Sequence, residues 1–80
     1  MMVKTITILT FGAVTDITGS KSFVIQDVDS TEKLVEILEE KYPLLKTIQY
    51  AIAVNKEVIQ QHTILENDIT VAILPPFSGG

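Results

Sequence analysis

The sequence predicts an α+β domain in which one amphipathic helix packs across one face of a mixed β-sheet. Its segments come in the order strand, strand, helix, strands, and helical periodicity is strong in just one segment. A single helix can cover only one face of a sheet, so the other face is predicted to stay open. The 80 residues allow one domain, and 46% hydrophobic residues indicate an ordered core.

The first 28 residues predict two strands joined by a loop. Residues 5–11 alternate, with two isoleucines on one face and Leu9 and Phe11 on the other. Residues 12–21 contain two glycines, an aspartate and a serine, which is typical of a connecting loop. Residues 22–28 then form the second strand.

The predicted helix follows directly and has clear boundary signals. Ser30 is a candidate N-cap, and Asp29 with Glu32 offers a competing capping box one residue earlier. Pro43 ends the helix at or before the preceding residue. The apolar stripe consists of Leu34, Ile37, Leu38 and Tyr42.

The remaining residues predict three strands and two turns. Residues 50–54 and 58–59 form a hairpin around a turn at 55–57. The last strand, 69–74, follows a turn at 65–68, whose asparagine tolerates a left-handed backbone. A hairpin, a crossing helix and a last strand beside the first give a β-grasp, ubiquitin-like arrangement.

Three apolar residues are expected at the open face of this sheet or at its edge. Phe11, Val58 and Leu74 form either a partner-binding surface or a small secondary core. The sequence leaves these two alternatives open.

Composition excludes several classes of function. The chain has no cysteine, so a disulfide, a thiolate metal site and a cysteine nucleophile are excluded. A net charge of −4 argues against nucleic acid, which selects basic surfaces. The glutamates of the helix form either a solvated face or a surface that steers a basic partner. The single histidine, His62, is interpreted as a polar loop residue. There is no apolar run of membrane-spanning length and no signal peptide, so we expect a cytoplasmic protein without membrane contact.

The sequence ends in Pro75-Pro76-Phe77-Ser78-Gly79-Gly80. Two prolines favour an extended backbone that ends the last strand, and two glycines lack side chains that would hinder entry into a narrow enzyme channel. We therefore expect a β-grasp domain at 1–76 and a flexible tail at 77–80. The terminal carboxylate of Gly80 is the candidate reactive group.

The last 30 residues resemble the small subunits of molybdopterin synthase, the MoaD family of sulfur carriers. The resemblance rests on Ala53-Val54-Asn55, on the acidic turn before the last strand, and on the Pro-Pro-Phe-Ser-Gly-Gly ending. Residues 9–19 fit this pattern less tightly. Thr15 stands where the family commonly has arginine, and Lys56 where many relatives have glycine.

The resemblance implies a sulfur carrier that acts together with partner proteins. An adenylating enzyme that uses ATP and magnesium would activate the carboxylate of Gly80, and a sulfur donor would convert it to a thiocarboxylate. The large subunit of molybdopterin synthase would then take up the tail, and the sulfur would pass to cyclic pyranopterin monophosphate to build the molybdopterin dithiolene. By analogy the synthase is a heterotetramer, and its catalytic pocket lies in the large subunit. No cofactor is expected on this chain itself.

The residues of the tail receive individual roles in this scheme. Gly79 and Gly80 give reach and slenderness, and Pro75 and Pro76 limit the entropy lost on threading. Phe77 is either an anchor at the channel mouth or a residue that folds back on the domain. Ser78 is interpreted as a small spacer, since no general base lies near it in the sequence. The residues expected to contact the partner are Phe11, Val58, Leu74, Pro75, Pro76, Phe77 and Ser78.

Three other functions remain open from the sequence. A thiamine-pathway sulfur carrier shares the fold and the Gly-Gly ending, although the double proline argues against it. A ubiquitin-like modifier would be conjugated to other proteins through Gly80. A plain binding module would not need the two terminal glycines at all.

Overall fold

The computed structural model describes residues 4–76, so the predicted tail at 77–80 lies outside the described residues. Five strands and two α-helices are formed within this range. Their bounds are β1 Thr5–Thr10, α1 Ala13–Thr18, β2 Ser22–Gln26, α2 Thr31–Lys41, β3 Ala51–Val54, β4 Glu57–Val58 and β5 Ile69–Leu74. A 3₁₀ turn at Pro43–Thr47 follows α2.

The strands form one mixed sheet in the order β2-β1-β5-β3-β4. β1 and β5 lie side by side in parallel at its centre, and every other neighbouring pair is antiparallel. The predicted α+β class, with the last strand returning beside the first, is therefore confirmed.

Helix α2 and the segments around it cover one face of the sheet. Ile6 and Ile8 of β1 are fully buried on this face, together with Val71 and Ile73 of β5. Further core residues come from the helices and loops: Val14, Val28, Leu34, Leu38, Leu45 and Leu65. The isoleucines of β1 thus point to the core, as their alternation predicted.

Both ends of α2 are fixed by specific contacts. The side chain of Ser30 accepts a hydrogen bond from the amide of Lys33 at 3.2 Å, so the serine, and not Asp29, is the N-cap. Near the C-terminal end, the Tyr50 hydroxyl donates to a carboxylate oxygen of Glu39 at 2.6 Å. Burial, and then the bond to Glu39 and its charge, raise the pKa of Tyr50 well above its usual value. The tyrosine therefore stays a donor at physiological pH.

The predicted loop at 12–21 is wrong in part, because it contains helix α1. Its glycines flank this short helix: Gly12 is the N-cap, and Gly19 is the C-cap in the left-handed conformation. Val14 is fully buried and attaches the helix to the core. The second strand also ends earlier than predicted, at Gln26.

Two of the predicted turns contain a non-glycine residue with a left-handed backbone. At the turn before β5 this residue is Asp68, with φ 59°, whereas the side-chain oxygen of Asn67 accepts from the amide of Thr5. In the β3–β4 hairpin both Asn55 and Lys56 have positive φ, at 49° and 74°. Positive φ at both central residues is the signature of a type I′ turn, which favours Asn-Gly.

Within residues 4–76, no helix has both the length and the apolar character that crossing a membrane requires.

We expect Lys56→Gly to raise the free energy of unfolding by about 0.5–1 kcal/mol, because glycine adopts positive φ without the steric strain of a side chain. Denaturant unfolding followed by circular dichroism measures the change. The neighbouring strand residue Glu57 provides the control, since Glu57→Gly should destabilise the chain. A loss of stability in Lys56→Gly would contradict the strain attributed to this turn.

Candidate partner-binding surface and the base of the tail

A row of small and apolar side chains crosses the open face of the sheet. The strand register aligns Leu9 with Ala72, Ala72 with Ala53, and Ala53 with Val58. Val58 is 52% exposed, and Leu9 and Ala72 are half-buried. The row thus runs across β1, β5, β3 and β4 on the face away from α2.

Two more apolar residues lie where the central strands end. Phe11 and Leu74 directly follow the paired residues Thr10 and Ile73 at the ends of β1 and β5. Phe11 is 47% exposed and Leu74 is half-buried. We call the combined surface the apolar strip, which consists of Leu9, Phe11, Ala53, Val58, Ala72 and Leu74.

Two shallow recesses meet at Leu9, in the middle of this strip. One recess, of about 250 Å³, extends past Ala72 to Asn55 and Lys56. The other, of about 490 Å³, extends past Phe11 to Thr15 and Lys21. Such a surface offers an apolar centre with room on both sides for side chains of a partner.

The turn after β1 lies close to Pro75, the residue that follows β5. Gly12 has φ 56° and ψ −128°, a conformation that strongly favours glycine. A Cβ atom added to Gly12 would lie 3.1 Å from Cγ of Pro75. This glycine therefore allows the turn to approach Pro75 closely at the point where the chain leaves β5.

Hydrogen bonds of two threonines hold this turn in place. Thr10 is buried, and its hydroxyl donates to the carbonyl of Ser20. Since that hydroxyl has one proton, the Thr15 hydroxyl is the donor in the 2.9 Å bond between the two threonine oxygens. Thr15 thus has a structural role here, fixing α1 to the end of β1.

Comparison with known proteins identifies the family. The model of the ThiS family matches residues 8–80. The chain belongs to the ThiS family.

Solved structures of other proteins share the fold of this ThiS-family chain. A chain in the complex of subunits 1 and 2 of molybdopterin-converting factor from Helicobacter pylori 26695 is 29% identical, with a TM-score of 0.72 over 95% of this chain and 99% of that chain. The small archaeal modifier protein 1 from Methanosarcina acetivorans is 20% identical, with a TM-score of 0.81 and full coverage of both chains. The Haloferax volcanii HVO 2177 protein is 17% identical, with a TM-score of 0.83 over 98% of this chain and 88% of that chain. The predicted β-grasp, ubiquitin-like fold is thereby confirmed.

The structure brings some of the predicted site residues together. Phe11, Leu74 and Pro75 lie at one end of the sheet, and Pro76 follows them as an exposed residue. Val58 lies on the same face but on the outer strand β4. These side chains do not belong to the core beneath α2.

The other predicted site residues, Phe77, Ser78, Gly79 and Gly80, lie outside the described residues.

Sequence reasoning also missed two parts of the surface in this ThiS-family chain. The alternation in β1 already placed Leu9 on the open face, but its central position follows from the pairing with Ala72. Lys21 and Lys56 become neighbours of the strip through the fold alone.

We expect Gly12→Ala to lower the free energy of unfolding by about 2–3 kcal/mol, because it adds backbone strain and a close contact with Pro75. Gly19→Ala is the matched control. It also has positive φ, at 78°, but its added Cβ meets no atom within 4 Å, so a loss of about 1 kcal/mol is expected.

A double-mutant cycle separates the two causes. Pro75→Ala removes Cγ, so part of the cost of Gly12→Ala should disappear in that background. Strictly additive effects in chemical denaturation would show that the contact with Pro75 does not contribute.

Proposed function

We propose that this chain is the sulfur carrier subunit of molybdopterin synthase and that Gly80 carries the sulfur as a thiocarboxylate. The observation that carries the proposal is the position of Pro75 and Pro76, which follow the central strand β5 beside the partly exposed apolar strip and, in the sequence, lead into Gly79-Gly80. A carrier needs these two parts, namely a surface that docks and a slender end that reaches a remote pocket.

The chemistry at Gly80 requires activation before sulfur can be added. A carboxylate is a poor electrophile, so its oxygen first attacks the α-phosphate of ATP, forming the acyl-adenylate and releasing pyrophosphate. A donor at the sulfide level then forms a C–S bond, and AMP leaves with the electron pair of the broken C–O bond. Delivery to the pterin precursor ends with water restoring the carboxylate.

Partners supply the catalytic groups in this scheme. An adenylating enzyme binds ATP and magnesium, and a separate donor provides the sulfur. The large subunit binds the charged carrier and holds the acceptor, cyclic pyranopterin monophosphate. The similarity to a chain from a complex of two molybdopterin-converting factor subunits supports a partner of this kind.

The residues of the carrier have complementary roles. The apolar strip binds the partner, with Phe11 as the large aromatic anchor near the tail. The close approach of the Gly12 turn to Pro75 positions the point where the chain leaves β5. Ser78 is a small spacer, and Phe77 is an anchor at the channel mouth.

A second candidate is a protein modifier, because the fold also matches small archaeal modifier protein 1. The two functions share the adenylate and differ in the nucleophile that follows. A sulfide-level donor gives a thiocarboxylate, whereas a lysine amine of another protein gives an amide. The product formed at Gly80 therefore distinguishes the sulfur carrier from the modifier. A thiamine-pathway carrier would also form a thiocarboxylate, but it would pass the sulfur to a different acceptor molecule.

Removing Gly80 should abolish sulfur loading and leave the fold intact, because a terminal residue contributes little to a packed core. The chain is incubated with ATP, magnesium, a sulfide donor and the adenylating enzyme, and its intact mass is measured. Replacement of one oxygen by sulfur is expected in the wild type and not in the deletion. Ser78→Ala is the control and should load normally.

The loaded carrier is then mixed with the large subunit and cyclic pyranopterin monophosphate. Formation of molybdopterin in this mixture would support the proposed function. Loading without this product would favour another sulfur-carrier pathway, and amide adducts of Gly80 with cellular proteins would favour the modifier.

Phe11→Asp should weaken binding to the large subunit by about tenfold or more, because a charge replaces an aromatic anchor. Leu44→Asp is the matched control, since Leu44 is 61% exposed but lies on the 3₁₀ turn after α2. Calorimetry measures both affinities, and circular dichroism checks the fold. Equal affinities of a folded Phe11→Asp and the control would contradict the docking role of the strip.

A further inference from the structure

The charges at the two recesses are opposite in sign to the charge of the chain as a whole. The chain has ten acidic and six basic residues, yet the residues that line the two recesses include Lys21 and Lys56 and no carboxylate. Both lysines are exposed, and within the described part of the chain neither forms an ion pair. They stand at opposite ends of a surface centred on Leu9.

The remainder of the open face is uncharged. The strand residues that share this face are threonine, serine, glutamine, alanine, valine and leucine, as the register shows. The helix on the other side of the sheet is different, because Glu36, Glu39 and Glu40 line a recess there with Lys46. These three glutamates therefore lie away from the apolar strip.

We propose that the open face of this chain docks on a protein surface that has an apolar centre and carboxylates at both ends, one facing Lys21 and the other facing Lys56. This inference rests on the proposed function, in which the carrier binds its partners in turn, and it specifies the charge of the first of them, the adenylating enzyme that activates Gly80.

The chemistry of lysine suits this place at the rim. An ammonium group on a flexible four-carbon stem reaches carboxylates in several geometries and stays hydrated while free. Ion pairs at a rim contribute mainly to the rate and orientation of association and are screened by salt. The part of the binding free energy that does not depend on salt comes mainly from burial of the apolar centre.

The test is charge reversal at the two lysines. Lys21→Glu with Lys56→Glu is compared with Lys33→Glu with Lys41→Glu, a control of equal net charge on helix α2. The probe is the purified adenylating enzyme from the same organism, and the dissociation constant is measured without ATP at several sodium chloride concentrations. We expect about tenfold weaker binding at low salt for the first variant and less than twofold for the control.

Salt and kinetics give independent readouts. Wild-type affinity should fall as salt rises, and the Lys21/Lys56 variant should lose this dependence or reverse it. The variant should raise the KM for the carrier in adenylation and leave kcat at saturation unchanged, because the carboxylate of Gly80 is untouched. Melting temperatures close to wild type would exclude unfolding as the cause.

The outcomes distinguish this inference from the function on which it rests. If the wild-type chain binds and is loaded with sulfur but reversal at Lys21 and Lys56 changes affinity no more than the control does, the inference is overturned and the proposed function stands. If the wild-type chain neither binds nor is adenylated by an enzyme active on another carrier, both fail. Selective, salt-dependent weakening supports both.

Discussion

The parallel pairing of β1 with β5 is the constraint on which the rest of the structure depends. It joins the first strand to the last one and places both at the centre of the sheet. On one face this pairing aligns Ile6, Ile8, Val71 and Ile73 beneath α2 and so forms the middle of the core. On the other face it sets Leu9 beside Ala72 and so forms the middle of the candidate docking surface. One register therefore determines both the core and the docking surface, and a slip by one residue would exchange them.

The same pairing places the candidate docking surface near Pro75, where the chain leaves β5. Parallel strands end at the same edge of a sheet, so the turn after β1 and the exit from β5 meet there. For this reason Gly12 lies so close to Pro75 that an added Cβ would be 3.1 Å from its Cγ, and Phe11 directly precedes this glycine. A partner that covers the apolar strip is thus already next to the point where the tail begins.

Much of this fold could be predicted from the sequence, because its main elements carry strong local signals. Strand β1 shows the alternation of a strand, and α2 shows an apolar stripe at helical spacing. Ser30 marks the start of α2 as its N-cap. Helix α1 was missed because it has six residues and two flanking glycines, and its single buried residue, Val14, gives no periodicity. The sequence marked Asn67 as able to adopt a left-handed backbone at the turn before β5, but Asp68 is the residue that does so, while the side chain of Asn67 accepts from the amide of Thr5.

The candidate surface was predictable only in part. Alternation indicated that Phe11 and Leu74 face away from the core, but it could not show that Lys21 and Lys56 flank the same strip. These two residues are far apart in sequence, and their common surface follows from the strand order.

The central position of the last strand also has a consequence for biosynthesis. Synthesis proceeds from the N-terminus, so β1, β2 and α2 emerge before the strand that joins them to β3. Until β5 is made, β1 and β3 both lack the strand that pairs with them, and their apolar side chains are not yet fully buried. The sheet closes through contacts between residues that are far apart in sequence, which is a slow type of folding step. The nascent chain thus depends on its last strand both to finish the core and to complete the apolar strip on the open face.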